Sequence, residues 1–379
     1  MKKNYIIPVL LFLLITISCK KEVLKLDEKN LPKSEVKYAK GFDIIDDNGT
    51  KKLMLKSSYK GSKEVFNFTI RKKNKNKILK NVLENDILVP IKKIVVTSTT
   101  HIPMIELLNE ETSIIGFPYS KYVSSHKTRN LIDEGKIKEI GKESSLNTEI
   151  LLDLKPELVV GYSVAAADKS LSTVKKAGIN VIYNGDWLEE TPLGRAEWIK
   201  FFGVLFDKEK QADSIFKVIE ANYLNAKQIA LKSTKKPTIL SGAIMSKDIW
   251  NLPAGESFVA TFLKDANTNY LWRNTKGTGS LSLNLENVYQ KGRTAELWIS
   301  PGFHTSLNSL KKSNVFYTKF DAYKNKNVYS FATTKGETGG LLYFELASSR
   351  PDLVLKDLIK IAHPELLQEE EFTFFEKLK

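Results

Sequence analysis

The chain has 379 residues, of which 42% are hydrophobic and 27% charged, an ordinary globular composition that excludes wholesale disorder and a multi-span membrane protein. That length is enough for two or three domains with large cores. Lys and Arg number 58 against 44 Asp and Glu, a balance of +14, but the lysines are scattered and form no basic motif interleaved with stacking aromatics, so nucleic acid is not an expected partner.

In chain order, residues 1–18 read as a leader. Lys2 and Lys3 form a positive start and Ile6 to Ile17 an apolar run too short to span a bilayer comfortably. Leu14-Ile15-Thr16-Ile17-Ser18-Cys19 resembles a bacterial lipobox, with cleavage expected before Cys19 and acylation of its thiol. Since Cys19 is the single cysteine, disulfides, Cys-based zinc sites and thiol nucleophiles are excluded. Residues 19–35 are charged and read as a tether. Residues 36–91 carry short β-type runs (Lys52 to Leu55, Val65 to Ile70, Asp86 to Ile91) between turn signals such as Asp47-Asn48-Gly49, which predicts a small β-rich extension. The basic run Arg71 to Lys80 reads as a solvated loop.

From residue 92 to 191 strands alternate with helices: Ile94 to Thr99, Ser113 to Phe117, Glu157 to Gly161 and Asn180 to Tyr183 are apolar runs, separated by helical spacing at Pro103 to Asn109, Thr148 to Leu154 and Asp168 to Ala177. Such alternation means a parallel sheet covered on both faces. Residues 192–235 predict a long connecting helix with Asp207 as an N-cap or bend. A second alternating segment fills 236–379, with strands expected at Thr238 to Ala243, Leu297 to Ser300 and Asn327 to Ser330 and helices at Ser257 to Leu263, Leu285 to Lys291 and Pro351 to Ile361. The fold class is therefore α/β: two α/β lobes joined by a single long helix, with a cleft between strand ends where ligands bind.

Leu151-Leu152-Asp153-Leu154-Lys155-Pro156-Glu157-Leu158-Val159-Val160 and Pro192-Leu193-Gly194-Arg195-Ala196-Glu197-Trp198, with the long helix between lobes, resemble the ABC-transporter substrate-binding proteins for ferric siderophores, haem and cobalamin, in a lipoprotein branch. The resemblance covers residues 92–365 and implies the helical-backbone solute-binding fold. It further implies a receptor without catalytic chemistry or cofactor, which captures an iron complex or corrinoid and delivers it to ABC permease subunits. The protein would be a monomer, lipid-anchored through Cys19 in the cell envelope and facing the periplasm, at the cytoplasmic or outer membrane. The ligand contacts implied are Thr100, His101, Tyr119, Tyr122, Tyr162, Trp187 and Arg195 from the first lobe and Trp250, Trp272, Arg273 and His304 from the second. Aromatics would cover a large planar ligand and the arginines would pair with its oxygens. Permease docking is implied for Asp168, with Glu149 as a substitute, and for Glu286.

Two other readings stay open. His101 after the first strand suits a bare Zn or Mn ion, although the four histidines (His101, His126, His304, His363) show no metal-binding spacing and no metal ligands are assigned. Gly161-Tyr162-Ser163-Val164-Ala165 partly matches a nucleophile elbow, which would make Ser163 a hydrolase nucleophile.

Overall fold

Ile94–Val96, Leu158–Gly161 and Val181–Tyr183 are apolar runs without polar alternation, and in the computed structural model they lie side by side as parallel strands covered on both faces. The structure describes residues 34–47, 49–56, 59, 61–73, 82–142, 145–162 and 169–379. The leader, Cys19, most of the tether, Ser163 and Asp168 lie outside the described residues. Among the described residues no helix is long and apolar enough to cross a membrane.

The N-terminal lobe carries five parallel strands in the order 181–183, 158–161, 94–96, 114–117 and 138–139. In the C-terminal lobe the strands 269–270, 238–241, 297–299 and 328–330 run parallel, and 376–377 closes the edge antiparallel. A second, antiparallel sheet of Ala243–Ser246, Ile249–Pro253 and Ser280–Asn284 belongs to this lobe and falls outside the sequence expectation. Both parallel sheets direct their C-terminal strand ends to one cleft.

Four strands, Phe42–Asp47, Thr50–Leu55, Phe66–Lys72 and Asp86–Val89, make up the extension. The first three pair antiparallel and the last parallel. Arg71 and Lys72, expected in a solvated loop, belong to the third strand because each meets a carboxylate: Arg71 pairs with Asp86 at 2.8 Å and Lys72 with Asp207 at 2.6 Å. Phe42, Ile44, Leu53, Leu55 and Val89 share one core with Trp198, Phe201 and Phe202, so the extension packs as a layer of the N-terminal lobe.

Its leading strap, residues 37–41, is held by two buried carboxylates. Glu197 accepts the backbone N–H groups of Lys37 (2.8 Å), Tyr38 (2.6 Å) and Ala39 (2.9 Å). Glu189 accepts those of Lys40 and Gly41 together with the Trp198 indole N–H at 3.0 Å. Burial raises the Glu189 pKa, since a desolvated carboxylate favours its proton.

The single helix expected over 192–235 is three: Pro192–Ala196, Ile199–Leu205 and Glu209–Ala230. The break has a backbone cause. Asp207 takes a left-handed φ of 56°, so it ends one helix instead of capping the next, and its carboxylate goes to Lys72. The 22 residues of Glu209–Ala230 span about 33 Å. Phe216 and Ile219 lie in the N-terminal core, whereas Tyr223, Ala226 and Ala230 lie in the C-terminal one.

Candidate ligand-binding cleft

Strand ends carry side chains past the last ladder hydrogen bond, and here two sets of strand ends face each other. From the N-terminal lobe, Thr97 and Thr99 after the first strand and Phe117, Pro118, Tyr119 and Tyr122 after the second line a cavity of about 470 Å³. Phe303, Ala332, Lys335, Gly339, Leu341 and Phe344 line it from the C-terminal lobe.

Tyr119 and Tyr122 stack with centroids 5.5 Å apart and planes 11° from parallel. The Lys121 ammonium lies 5.0 Å from the Tyr122 centroid and 5.6 Å from that of Tyr119, in reach of a cation–π contact. Opposite them Phe303 meets Phe344 at 6.2 Å, and Phe344 meets Phe331 at 5.3 Å. Tyr122, Phe303 and Phe344 are exposed by 47%, 59% and 48%, which leaves apolar faces wet until something fills the cavity. No carboxylate lines the cavity among the described residues, whereas Lys335 does.

A second recess of about 260 Å³ holds Trp187 and Arg195 with Phe258. The Arg195 guanidinium donates to the Trp187 carbonyl at 2.7 Å and to the Glu189 carbonyl at 3.3 Å, and lies 3.5 Å from the Phe258 centroid. Arg195 thus fixes the Trp187–Glu189 turn against the C-terminal lobe, and burial holds its pKa below the ordinary arginine value.

The remaining expected contacts go elsewhere. The Thr100 hydroxyl meets Ser98 at 2.9 Å ahead of the helix His101–Leu107, and its neighbour Thr99 reaches the cavity. His101 is fully buried against Phe202, with centroids 5.6 Å apart and both ring nitrogens unpartnered among the described residues. Burial pushes its pKa down to about 4, opposed by Asp186, which makes it a neutral core imidazole. Among the described residues no group of three His, Cys, Asp or Glu side chains is placed to hold a metal ion. Tyr162 follows the strand Leu158–Gly161 half-buried, its N–H 3.3 Å from the hydroxyl of Thr97.

Trp250 and Trp272 are buried in the C-terminal core. Trp250 stacks on Trp298 at 5.3 Å and donates to the Ser241 carbonyl, so neither Trp250 nor Trp272 offers a face to the cleft. Arg273 is exposed and turns back on Tyr270 and Asn269 of its own loop. His304 faces Ser313 at 3.4 Å, its pKa lowered by partial burial. Glu286 and Glu149 are exposed, each in the first turn of a helix whose N-terminus favours a negative charge. Leu341 and Phe344 escaped the sequence reading. The glycine-dense stretch Gly336 to Gly340 running into Leu341-Leu342-Tyr343-Phe344 was the available signal.

Two α/β lobes that share the helix Glu209–Ala230, around an aromatic cleft, define a two-lobed solute-binding protein. The chain belongs to the periplasmic binding protein family, whose model matches residues 94–333. It is similar over 383 aligned residues, at 28% identity, to an uncharacterised lipoprotein of Methanocaldococcus jannaschii, covering 93% of this chain and 87% of that one. Among solved structures it resembles a periplasmic binding protein of Veillonella parvula (TM-score 0.58, 16% identity, 87% of this chain and 97% of that one). It also resembles a periplasmic haem-binding protein of Vibrio cholerae (TM-score 0.54, 16% identity, 70% and 99%).

Proposed function

We propose that this chain is the lipid-anchored receptor of an ABC importer, acylated at Cys19 and held in the cell envelope, which captures a metal chelate between its lobes and hands it to the permease. The chelate is a ferric siderophore, haem or a corrinoid. The observation that carries this reading is the cavity wall: paired Tyr119 and Tyr122 opposite Phe303 and Phe344, with Lys335 and without a lining carboxylate among the described residues, and Lys121 beside the tyrosine pair. Aromatic faces suit a flat π-system, and ammonium groups suit its peripheral carboxylates or catecholates. The haem-binding neighbour and the lipoprotein relative support the same reading.

Titration of the purified protein with haemin, ferric siderophores, cobalamin and divalent ions, followed by absorbance and tryptophan fluorescence, tests it. Saturable binding of one chelate is expected, weakened about tenfold or more by Tyr122→Ala, since an aromatic contact together with its buried area exceeds 1.4 kcal/mol. Tight binding of a bare divalent ion alone would refute it.

A further inference from the structure

Thr334 to Leu346 leaves the C-terminal lobe, turns back on itself and ends beside the other lobe. Its base is tied by Gly336 N–H to the Gly340 carbonyl (2.8 Å) and Leu342 N–H to the Thr334 carbonyl (3.2 Å), with a bridge between Lys335 and Leu341. Lys335, Gly339 and Leu341 roof the cavity. Along its outer edge the Thr338 hydroxyl donates to the Lys121 carbonyl at 2.7 Å, and Glu337 pairs with His126 at 3.1 Å. Behind the turn, Glu345, only 2% exposed, accepts the backbone N–H groups of Ser124 (2.6 Å) and Ser125 (2.8 Å).

The glycines show what this contact demands. Neither Gly336 nor Gly340 has a positive φ, so neither is needed for its own backbone conformation. A Cβ on Gly340 would lie 2.1 Å from the Tyr122 carbonyl oxygen, and one on Gly336 would lie 2.5 Å from the Ser124 Cα. Both glycines are therefore required by the opposite lobe, because two main chains touch there with no room for a side chain.

We propose that Lys335–Leu341, with the helix Leu342–Leu346 behind it, is a lid that docks main chain to main chain on Tyr122–Ser125 and sets how fast the cleft releases its ligand. The lid belongs to the C-terminal lobe and its seat to the N-terminal one, so it is the element that must part whenever the cleft opens there. Ligand retention rests on the receptor reading above, whereas lid docking does not.

The test is hydrogen exchange on the full lipidated chain in detergent, comparing wild type with Gly340→Ala and Thr338→Val. The second substitution removes one exposed hydroxyl and adds no bulk. Exchange in 119–126 and 333–345 is expected to accelerate about tenfold or more in Gly340→Ala and less in Thr338→Val, with Ile94–Val96 unchanged. Unchanged exchange in both variants, or acceleration spread evenly over both lobes in both, overturns the lid. Haemin release into excess apomyoglobin is measured in parallel, and release about tenfold faster in Gly340→Ala is expected. Unchanged release despite a freed lid overturns the retention role. Failure of wild type to take up haemin overturns the haem form of the chelate reading, while the exchange data still decide the lid.

Discussion

Replacing Glu345 by Gln is expected to remove a pH dependence of stability that the wild type carries between pH 5 and 8. The Glu345 carboxyl is buried at the lobe seam, which pushes its pKa from 4.5 up to about 7, with Glu106 adding to the rise and the Ser124 and Ser125 N–H groups opposing it. A folded-state pKa above the unfolded one means that the folded chain holds the proton more tightly. The contribution is therefore full below pH 4.5 and lost as pH rises through 7. Carried across that interval the loss is about 3 kcal/mol at 1.36 kcal/mol per pH unit. The Ser124 N–H goes to Oε2 and the Ser125 N–H to Oε1, so Gln keeps one of the two acceptors and has no proton to lose. Lys121, His126, Lys127, Arg129, Asp133, Lys335 and Glu337, also charged on the elements packed here, are common to both proteins. Thermal melts at half-unit intervals should thus diverge from about pH 5 upward, the wild type losing about 5 °C more than the variant by pH 8, given the size scaling of the melting response. Parallel curves over the whole range would refute the reasoning.

Three further outcomes are expected. Glu197→Gln leaves the three strap N–H groups without a full carboxylate and Lys200 without its buried partner at 2.9 Å, so urea denaturation should show a loss of about 2 to 4 kcal/mol. Trp250→Ala should cost about 3 to 5 kcal/mol in the same assay through the cavity it leaves, with chelate affinity per folded molecule unchanged. Glu286→Lys should leave haemin titrations as in wild type and reduce uptake by cells carrying the transporter; weakened binding with normal uptake would remove it from the docking role.

Much of the scaffold is legible because a strand buried on both faces writes itself as an unbroken apolar run, as Ile94–Val96 and Leu158–Gly161 do. Tyr119 and Tyr122 were reachable in the same way, since residues just past a strand end fall at the cleft wherever the sheet is parallel. Trp250 and Trp272 were placed at the cleft by the resemblance, and a position carried over from a family does not say which face its side chain takes. The alternation Ile249, Trp250, Asn251, Leu252 does say it, with Ile249 at 39% exposure and Trp250 and Leu252 buried. What local pattern cannot carry is pairing across 150 positions. The Glu197 grip on residues 37–39 and the Glu345 contact with Ser124 join segments whose own neighbourhoods hold no trace of the partner. The segment Pro192 to Trp198, which carried the resemblance, serves the strap through Glu197 and Trp198, so a segment that signals kinship need not be a binding one.

The shared rod Glu209–Ala230 has a practical corollary for anyone dividing this molecule. A fragment ending after Ala230 would carry Tyr223, Ala226 and Ala230 as a bare greasy stripe, and one beginning after Leu205 would carry Phe216 and Ile219 likewise. Tyr223 would also lose Asp265, to which its hydroxyl donates at 2.8 Å. Neither half is a self-sufficient module, and a heating scan of the intact chain should register one melting event, each half vanishing with the other.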